Sequence, residues 1–414
     1  MRNIVGPIPE PEDLHGRERL VSEAWSILEQ HNLLLLAPRR FGKSGLLRHF
    51  CRHPQLSFLP LSYDLEDITT GAQFVQRLIE KSGEQKELRP LLKQCGDLVS
   101  DFVDAFSNKV ESIDGSGGVP GVTFRKKVEQ TDWEPLARKI MLSLEKAEQP
   151  LLFLFDELPE MLKKIAHSES DESATRFLSW FRTVRLNEND ELRRHRFVVA
   201  GSTGLNYILD RRLRCPETLN DFNRLAVEPL ETPDAASLCC KLAENEKLTI
   251  SDDTVEHLLT CIGQPVPYFI QLFFSELAQR RKASDTEITQ EMIDTIYQRR
   301  LMGPTCKRYF DQYRRRLEQY DADQEKAIVN ILITVANAKN PATLPLLYEV
   351  YIEARGAEAN EIEFNELLAD LECDWYLEWN PLANTYSFFM NIMKDWWARW
   401  YHNTTVNSGF EMDK

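Results

Sequence analysis

Residues 33–44 hold the residue types that bind a phosphate group, at a spacing that suits this task. The apolar run Leu33–Leu36 leads through a short segment to Gly42, Lys43 and Ser44. Where a strand turns into a helix, backbone N–H groups converge on phosphate oxygens, and a glycine lets the backbone come close. Lys43 would place a positive charge beside the β- and γ-phosphates, and the Ser44 hydroxyl would face Mg²⁺. The segment therefore predicts a site for nucleotide phosphates.

The turn departs from the usual pattern at its first position, where Ala37 stands in place of glycine. The strand–turn–helix context compensates for this departure, and a chance Gly-Lys-Ser sequence is the alternative. The residues that we expect to contact the phosphates are Pro38, Arg39, Arg40, Phe41, Gly42, Lys43, Ser44 and Gly45.

A second apolar run, Leu151–Phe155, ends in two acids, Asp156 and Glu157. Paired acids at the end of a buried strand suit metal-assisted hydrolysis. Asp156, with Ser44, is a candidate for the Mg²⁺ site, and Glu157 is a candidate for polarising the attacking water. A solvated strand end is the alternative interpretation, which the upstream phosphate-binding turn makes less favourable.

A third apolar run, Phe197–Ala200, ends in Gly201, Ser202 and Thr203. In a parallel sheet, the carboxyl end of this strand would lie beside the γ-phosphate. Ser202 or Thr203 could then sense whether that phosphate is present. The alternative is a plain turn after a strand.

Strands and helices must alternate along the chain to bring these three segments to one edge of a sheet. The predicted strands cover residues 32–36, 57–64, 150–155, 197–200 and 225–227, with helices over 14–30, from 43, over 71–82 and over 133–147. This order predicts an α/β fold with a parallel, right-handed sheet. The pattern weakens between about 84 and 130, and the Gly/Ser/Pro-rich stretch 114–121 predicts a mobile insertion there.

The character of the chain changes after Pro229. Residues 233–315 have only helical periodicity. Residues 322–403 contain three helical stretches, a two-strand signal around the turn Asn380–Asn384, and an aromatic helix. We therefore predict a nucleotide-binding domain over 1–230, a helical lid over 231–315, a compact domain over 316–405, and a polar tail over 406–414.

Composition excludes several classes of protein. The chain has 414 residues, of which 43% are hydrophobic, and its 50 Lys+Arg against 65 Asp+Glu give a net charge of −15. A bulk attraction to nucleic acid or to anionic lipid is therefore not available. The apolar runs are far shorter than the ~20 residues that a membrane span needs. The first residues lack the apolar segment of a signal peptide.

The eight cysteines are scattered and form no CxxC pair. This usage predicts reduced thiols and a cytoplasmic location. Two groups could suggest a metal site: His49, Cys51 and His53, and the pair Cys239/Cys240 with His257 and Cys261. Neither group has an established ligand spacing, so we interpret both as structural.

The chain resembles a known family, the STAND class of AAA-like P-loop ATPases. Within this class it is similar to the archaeal-type ATPases, which are also common in bacteria. The resemblance extends over nearly the whole chain. It rests on the segments Leu14–Glu18, Pro38–Ser44, Asp156–Glu157, Gly201–Thr203, Ile262–Gln271 and Tyr376–Trp397. It implies a P-loop core followed by a helical lid and a C-terminal winged helix, with ATP and Mg²⁺ as cofactors.

The resemblance also implies further site residues. Gly16 and Arg17 match the family's adenine-side box, and Gly263 and Pro265 match the Gly-x-Pro region that begins a lid helix near the adenine. The family uses an arginine on the γ-phosphate, often from a neighbouring subunit of a homo-oligomer. The candidates are Arg211, Arg212, Arg214 and Arg224, with Arg185 as a more remote choice. Arg224, just before the predicted last strand, matches the expected place best.

Winged helices often bind DNA through a basic helix. Here the corresponding segment, 361–372, has five acids and no Lys or Arg, so phosphates would repel it. We therefore predict that this domain contacts protein. The aromatic residues of 375–401 are interpreted as its core.

The sequence thus predicts an ATP-hydrolysing switch that acts on a protein partner or a separate effector chain, in signalling or defence by resemblance. Two rival interpretations remain. One is an oligomeric DNA-associated loader or remodeller, with a channel lined by arginines such as Arg193, Arg194 and Arg314–Arg316. The other is a nucleotide-binding scaffold with negligible turnover.

Overall fold

The computed structural model describes residues 3, 5, 6, 8, 10–97, 99, 100, 103, 132–186, 194–201, 204–282 and 284–401. The chain forms two compact units. The N-terminal unit is Ile8–Val227, and the C-terminal unit combines Met1–Pro7 with Glu228–Lys414. The division falls between Val227 and Glu228.

The N-terminal unit contains a parallel five-stranded sheet, as the alternation of strands and helices predicted. Its strands are β1 Asn32–Leu36, β2 Leu59–Asp64, β3 Leu151–Asp156, β4 Arg196–Gly201 and β5 Phe222–Ala226. Their order in the sheet is β2-β3-β4-β1-β5, so β4 lies between the strand that leads to the phosphate-binding turn and the strand that ends in the two acids. All carboxyl ends therefore meet at one edge.

Helices connect these strands and cover the sheet. They are α1 Glu18–Leu28, α2 Lys43–Arg52, α3 Gly71–Glu84, α4 Arg89–Lys93, α5 Trp133–Leu144, α6 Leu158–Ser168, α7 Asp171–Arg185 and α8 Leu205–Tyr207. Side-chain caps fix several helix starts: Thr70 accepts a hydrogen bond from Gln73 N and Ser170 accepts one from Ser173 N.

Part of the segment that was expected to be a mobile insertion is packed instead. Within 84–103, α4 is helical and its Leu92, together with Leu88 and Val99, is buried in the main core of this unit. These isolated apolar residues are too widely spaced to give a clear period over so short a helix. Residues 104–131, which contain the Gly-rich stretch, lie outside the described residues.

The C-terminal unit is mainly helical. Its helices are α9 Thr232–Asn245, α10 Asp252–Ile262, α11 Pro267–Ala278, α12 Gln290–Ile296, α13 Pro304–Arg316, α14 Ala322–Asn337, α15 Leu344–Arg355, α16 Glu361–Cys373 and α17 Asn391–Trp400. The prediction of helices alone over 233–315 was wrong in one detail, because Thr249–Ile250 (β6) pairs in parallel with Glu287–Ile288 (β7). Strands of two residues leave no periodic signal.

Residues 322–401 contain the predicted three helices, hairpin and closing helix. Strands β9 Leu377–Asn380 and β10 Thr385–Phe388 pair antiparallel around the predicted turn. A third strand, β8 Ala342–Thr343, pairs with the other side of β10. The aromatic side chains Trp396 and Trp397 of α17 are fully buried, which agrees with their interpretation as core.

All eight cysteines are free thiols. Across the described ranges, no single helix has the length and apolar character to cross a bilayer, although α10 and α11 together, bent by 115°, meet that criterion.

Candidate nucleotide site

The turn between β1 and α2 has the backbone of a phosphate-binding loop. Two of its residues are left-handed, with φ of +77° at Arg40 and +99° at Gly42. Alternation of backbone conformations turns successive N–H groups toward one point, which forms an anion-binding concavity. A Cβ on Gly42 would meet nothing within 4 Å, so the backbone conformation, and not lack of space, favours glycine there.

Lys43 lies inside this loop. Its side chain is 5% exposed, and Nζ donates hydrogen bonds to the carbonyl oxygens of Ala37 at 2.7 Å and Pro38 at 2.9 Å. The ammonium group is thus held at the loop in which the sequence predicted phosphates. An ammonium group here would place a positive charge beside a phosphate in the loop, and that contact stays a prediction.

Ser44 and Asp156 meet directly. The Ser44 hydroxyl, in the first turn of α2, donates a hydrogen bond of 2.6 Å to Asp156 Oδ2 at the end of β3. Burial raises the pKa of Asp156, while this hydrogen bond and the charge of Lys43 oppose the rise. A hydroxyl and a carboxylate are the hard oxygen donors that Mg²⁺ prefers, so this pair fits the predicted metal.

Glu157 is held in an unusual backbone conformation with a free carboxylate oxygen. Its φ is +58°, and its Oε2 is buried without a hydrogen-bond partner among the described residues. Burial raises the pKa of Glu157, Asp156 adds to the rise, and Lys43 opposes it. Strain, burial and an unsatisfied acceptor together are typical of a functional carboxylate.

Packing fixes the chain just after Glu157. Pro159, in the first turn of α6, lies against Gly201 at the end of β4, and a Cβ on Gly201 would stand 2.5 Å from the Pro159 ring. Strand β4 also lies between β1 and β3, so it separates the strand that leads to Lys43 from the strand that leads to Glu157. The charge of Lys43 nevertheless acts on Glu157 and opposes the rise in its pKa that burial causes.

One further acid, which was not predicted from the sequence, lies next to Asp156. Asp64 ends β2 directly opposite Asp156 in the sheet register, and its charge raises the pKa of Asp156. The signal was available, since the predicted strand 57–64 also ends in an acid. The order of strands was needed to bring the two carboxylates together.

Other predicted contacts differ in what they do. Arg17 is buried and donates a 3.3 Å hydrogen bond to the carbonyl oxygen of Phe41, so the Gly16–Arg17 box does reach the loop. Arg39 is exposed and pairs with Glu66 at 3.1 Å.

Gly263 and Pro265 belong to the C-terminal unit, where a Cβ on Gly263 would lie 2.6 Å from the backbone of Asn391. Their adenine contact stays a prediction. Ser202 lies outside the described residues.

The predicted position of Arg224, just before the last strand, was wrong. Strand β5 begins at Phe222, three residues earlier than predicted, and Arg224 is exposed within it, opposite Leu34 of β1. Because β5 is an edge strand, it tolerates the polar residues that a search for apolar runs rejects. The role of Arg224 on a γ-phosphate stays a prediction.

The alternative choice Arg185 is a structural residue. Its guanidinium forms two hydrogen bonds of 2.9 Å to Asp221 and lies 4.0 Å from the Phe181 ring centroid, with the side chain 0% exposed. Asp221 in turn accepts a hydrogen bond from Asn32, which begins β1. The pair is therefore at the amino end of the strands, opposite the phosphate-binding loop.

Breaking this buried pair by removing Arg185 should destabilise the protein strongly. Arg185→Ala leaves a largely buried carboxylate behind, which costs about 3–5 kcal/mol of unfolding free energy. The matched change Arg212→Ala removes an exposed pair with Asp171 and should cost at most about 1 kcal/mol. Burial alone would raise the pKa of Asp221, but Arg185 lowers it. The stabilisation should therefore be lost as pH falls through the lowered pKa. Urea unfolding of both variants measures the difference, and equal losses would contradict the assignment.

The strand order, the loop and the acids define the class of fold: an AAA-like P-loop ATPase fold. Solved structures agree. A Walker-type ATPase of Pyrococcus abyssi is similar with a TM-score of 0.61 and 17% identity, over 95% of this chain and 99% of that one. The ORC2 protein of Aeropyrum pernix, in ADPNP–ADP complexes, is similar with a TM-score of 0.57 and 10% identity, over 94% of each chain. No protein-family model matches the sequence, and no curated protein matches it significantly.

Proposed function

We propose that this chain is a Mg²⁺-dependent ATPase that uses ATP binding and hydrolysis to switch its conformation. The observation that carries the proposal is the buried Oε2 of Glu157, which has no hydrogen-bond partner among the described residues and lies near the Ser44–Asp156 pair and Lys43. The fold shared with a protein described in ADPNP–ADP complexes supports nucleotide binding. A scaffold without turnover would have no use for a strained, unsatisfied carboxylate.

Each residue has a separate task in this proposal. Loop N–H groups and Lys43 hold the phosphates, and Ser44 with Asp156 holds Mg²⁺, which supplies charge neutralisation on the phosphate oxygens. Glu157 accepts a proton from the attacking water, for which its raised pKa suits it. Arg224, exposed on an edge strand, is available to act on a nucleotide held by a second copy.

We further propose that residues 316–401 are a winged helix that contacts a protein. Three acids of α16 accept hydrogen bonds from side chains of the same protein. Glu363 accepts hydrogen bonds from Tyr351 and Arg355, Asp370 accepts one from Tyr320, and Glu372 accepts one from Tyr386. The exposed positions of α16 are Glu361, Ile362, Asn365, Glu366, Ala369 and Cys373.

Four large apolar residues of this domain are exposed among those the structure describes, namely Leu346, Ile352, Ile362 and Leu382, and the last two are the most exposed. Ile362, on α16, is 69% exposed, and Leu382, at the tip of the β9–β10 turn, is 98% exposed. Apolar side chains with acids and no cation suit a protein surface better than a phosphate backbone. A protein partner in signalling or defence agrees with this surface and with the family resemblance. A pull-down with Glu157→Gln protein and ATP should capture the partner. The same experiment with Ile362→Glu protein should not capture it.

A DNA-associated ATPase is the second candidate, and the similarity to an ORC2 protein favours it. Three of the five arginines proposed for its channel oppose it, while Arg315 is exposed and Arg193 lies outside the described residues. Arg314 pairs with Glu325 at 2.5 Å, and Arg316 pairs with Asp374 at 3.2 Å with only 10% of its side chain exposed. Arg194 donates to the carbonyl oxygens of Glu145 and Ala147. These three arginines therefore form contacts within the protein.

We expect the full-length protein, with or without ATP, to bind duplex DNA no better than nonspecific proteins do. Paired arginines release no counterions, so the salt dependence of any binding should be shallow. Fluorescence anisotropy over a salt series measures both properties. DNA binding that requires ATP, depends steeply on salt and disappears in the exposed-residue variant Arg315→Glu would instead establish the second candidate.

A further inference from the structure

A second set of metal-ligating side chains lies in the C-terminal unit. His257 and Cys261 stand one turn apart on α10, and Asp294 of α12 faces them. His257 Nε2 is 2.8 Å from Asp294 Oδ1 and 4.0 Å from Cys261 Sγ, and all three donor atoms lie within 4.8 Å of one another. The sequence could not supply this set, because Asp294 is 33 residues beyond Cys261 and enters only through the packing of the two helices.

We propose that His257, Cys261 and Asp294 bind a divalent transition-metal ion, with Zn²⁺ as the best match. An imidazole nitrogen, a thiolate and a carboxylate oxygen are the three ligand types of protein zinc sites. Mg²⁺ and Ca²⁺ prefer oxygen alone, so the thiolate selects against them. Three protein ligands leave the fourth tetrahedral position to water.

The spacing requires little rearrangement. Zinc bonds of about 2.0–2.3 Å set neighbouring ligands roughly 3.3–3.8 Å apart in a tetrahedron. The observed 2.8 Å and 4.0 Å lie on either side of this range. The side chains of His257 and Asp294 are 30% and 59% exposed, so the ion has a path from solvent and both side chains can adjust.

The surroundings are negative. Asp395 of α17 accepts a 2.8 Å hydrogen bond from Tyr297, and Asn391 of the same helix donates one of 3.1 Å to the carbonyl oxygen of Thr260, next to Cys261. Helices α10, α12 and α17 therefore converge here. A bound cation would offset the carboxylate charges and link α10 to α12 beside the closing helix.

A surface ion pair is the alternative explanation of the His257–Asp294 contact, and it needs no metal. The two explanations differ in the role of Cys261. Only a metal site requires its sulfur, and only a metal site gives a thiolate–metal spectroscopic signal.

Full-length protein, freed of metal with a chelator, should bind one equivalent of Co²⁺ with a thiolate-to-cobalt charge-transfer band, and one equivalent of Zn²⁺ should remove that band. Cys261→Ser should abolish the band. His257→Gln should weaken Co²⁺ binding by more than the roughly 10–100-fold that loss of an outer-shell partner costs. Zn²⁺ should also raise the Tm of the parent protein and not that of Cys261→Ser.

Cys240→Ser is the matched control, because Cys240 is an exposed cysteine on α9 outside the cluster. It should keep the band, the stoichiometry and the Tm increase. Absence of the band in the parent protein, or a band that survives in Cys261→Ser, would overturn the proposal. The Mg²⁺ site contains no sulfur ligand, so a cobalt ion bound there would give no such band.

Discussion

Lys43→Ala should abolish the stabilisation of this protein by ATP and Mg²⁺. The ammonium group of Lys43 is held inside the loop by hydrogen bonds of 2.7 and 2.9 Å to the carbonyl oxygens of Ala37 and Pro38. Its removal would deprive the phosphates of the positive charge that the loop itself supplies, in a buried setting. A saturated site at a hundredfold excess of ligand over Kd stabilises the folded state by about 2.7 kcal/mol, and the variant should lose nearly all of this.

Thermal unfolding with and without ATP–Mg²⁺ measures this effect. Lys326→Ala is the control, because Lys326 is an exposed lysine on α14 of the other unit. It should keep the full increase in Tm. If ATP raised the Tm of Lys43→Ala as much as that of the parent protein, nucleotide would bind elsewhere. This result would contradict the proposed ATPase site.

Glu157→Gln should bind ATP as the parent protein does but hydrolyse it about 10²–10⁴-fold more slowly, since it removes the general base and preserves its shape. The parent rate should also fall as pH is lowered, because a protonated glutamate accepts no proton. Burial raises the pKa of Glu157, so this acidic limb should lie above the ordinary glutamate range. It should be missing from the residual activity of the variant. Single-turnover hydrolysis over a pH series measures both effects.

The same substitution should stabilise the nucleotide-free protein. A carboxylate whose folded pKa is raised costs stability when it ionises, so stability is lost as pH rises through that pKa. Removal of the charge recovers this loss. Glu160→Gln, in the first turn of α6, makes the same charge change without touching the water-polarising position, and it should leave hydrolysis near the parent rate. Equal rates in Glu157→Gln and the parent would reduce Glu157 to a strand-end acid.

The local parts of the site follow from the sequence with good accuracy. Strand β1 was predicted over its observed bounds, and the strand carrying Asp156 and Glu157 was predicted within one residue at either end. Central parallel strands are buried on both faces, so they are continuous apolar runs that end abruptly. The turn chemistry between Leu36 and Lys43 is equally local.

Features that depend on packing between distant segments could not be predicted. Edge strand β5 carries Asn223 and Arg224 and therefore has no apolar run. Arg185 resembles any surface arginine until Asp221 is brought beside it by the fold. The acids of α16 are evenly distributed in the sequence, yet Glu363 is satisfied internally by Tyr351 and Arg355. In each case the deciding partner is many residues away or on another element.

The contact between Pro159 and Gly201 has a consequence for how this protein can vary over evolution. Gly201 contributes no functional group, yet even one additional methyl there would stand 2.5 Å from the Pro159 ring. The displacement would reach Glu157, two residues before Pro159, and would shift its carboxylate relative to Lys43 and Asp156. A residue larger than glycine at position 201 requires Pro159 to move. We therefore expect substitutions of Gly201 to be poorly tolerated, although this residue performs no chemistry.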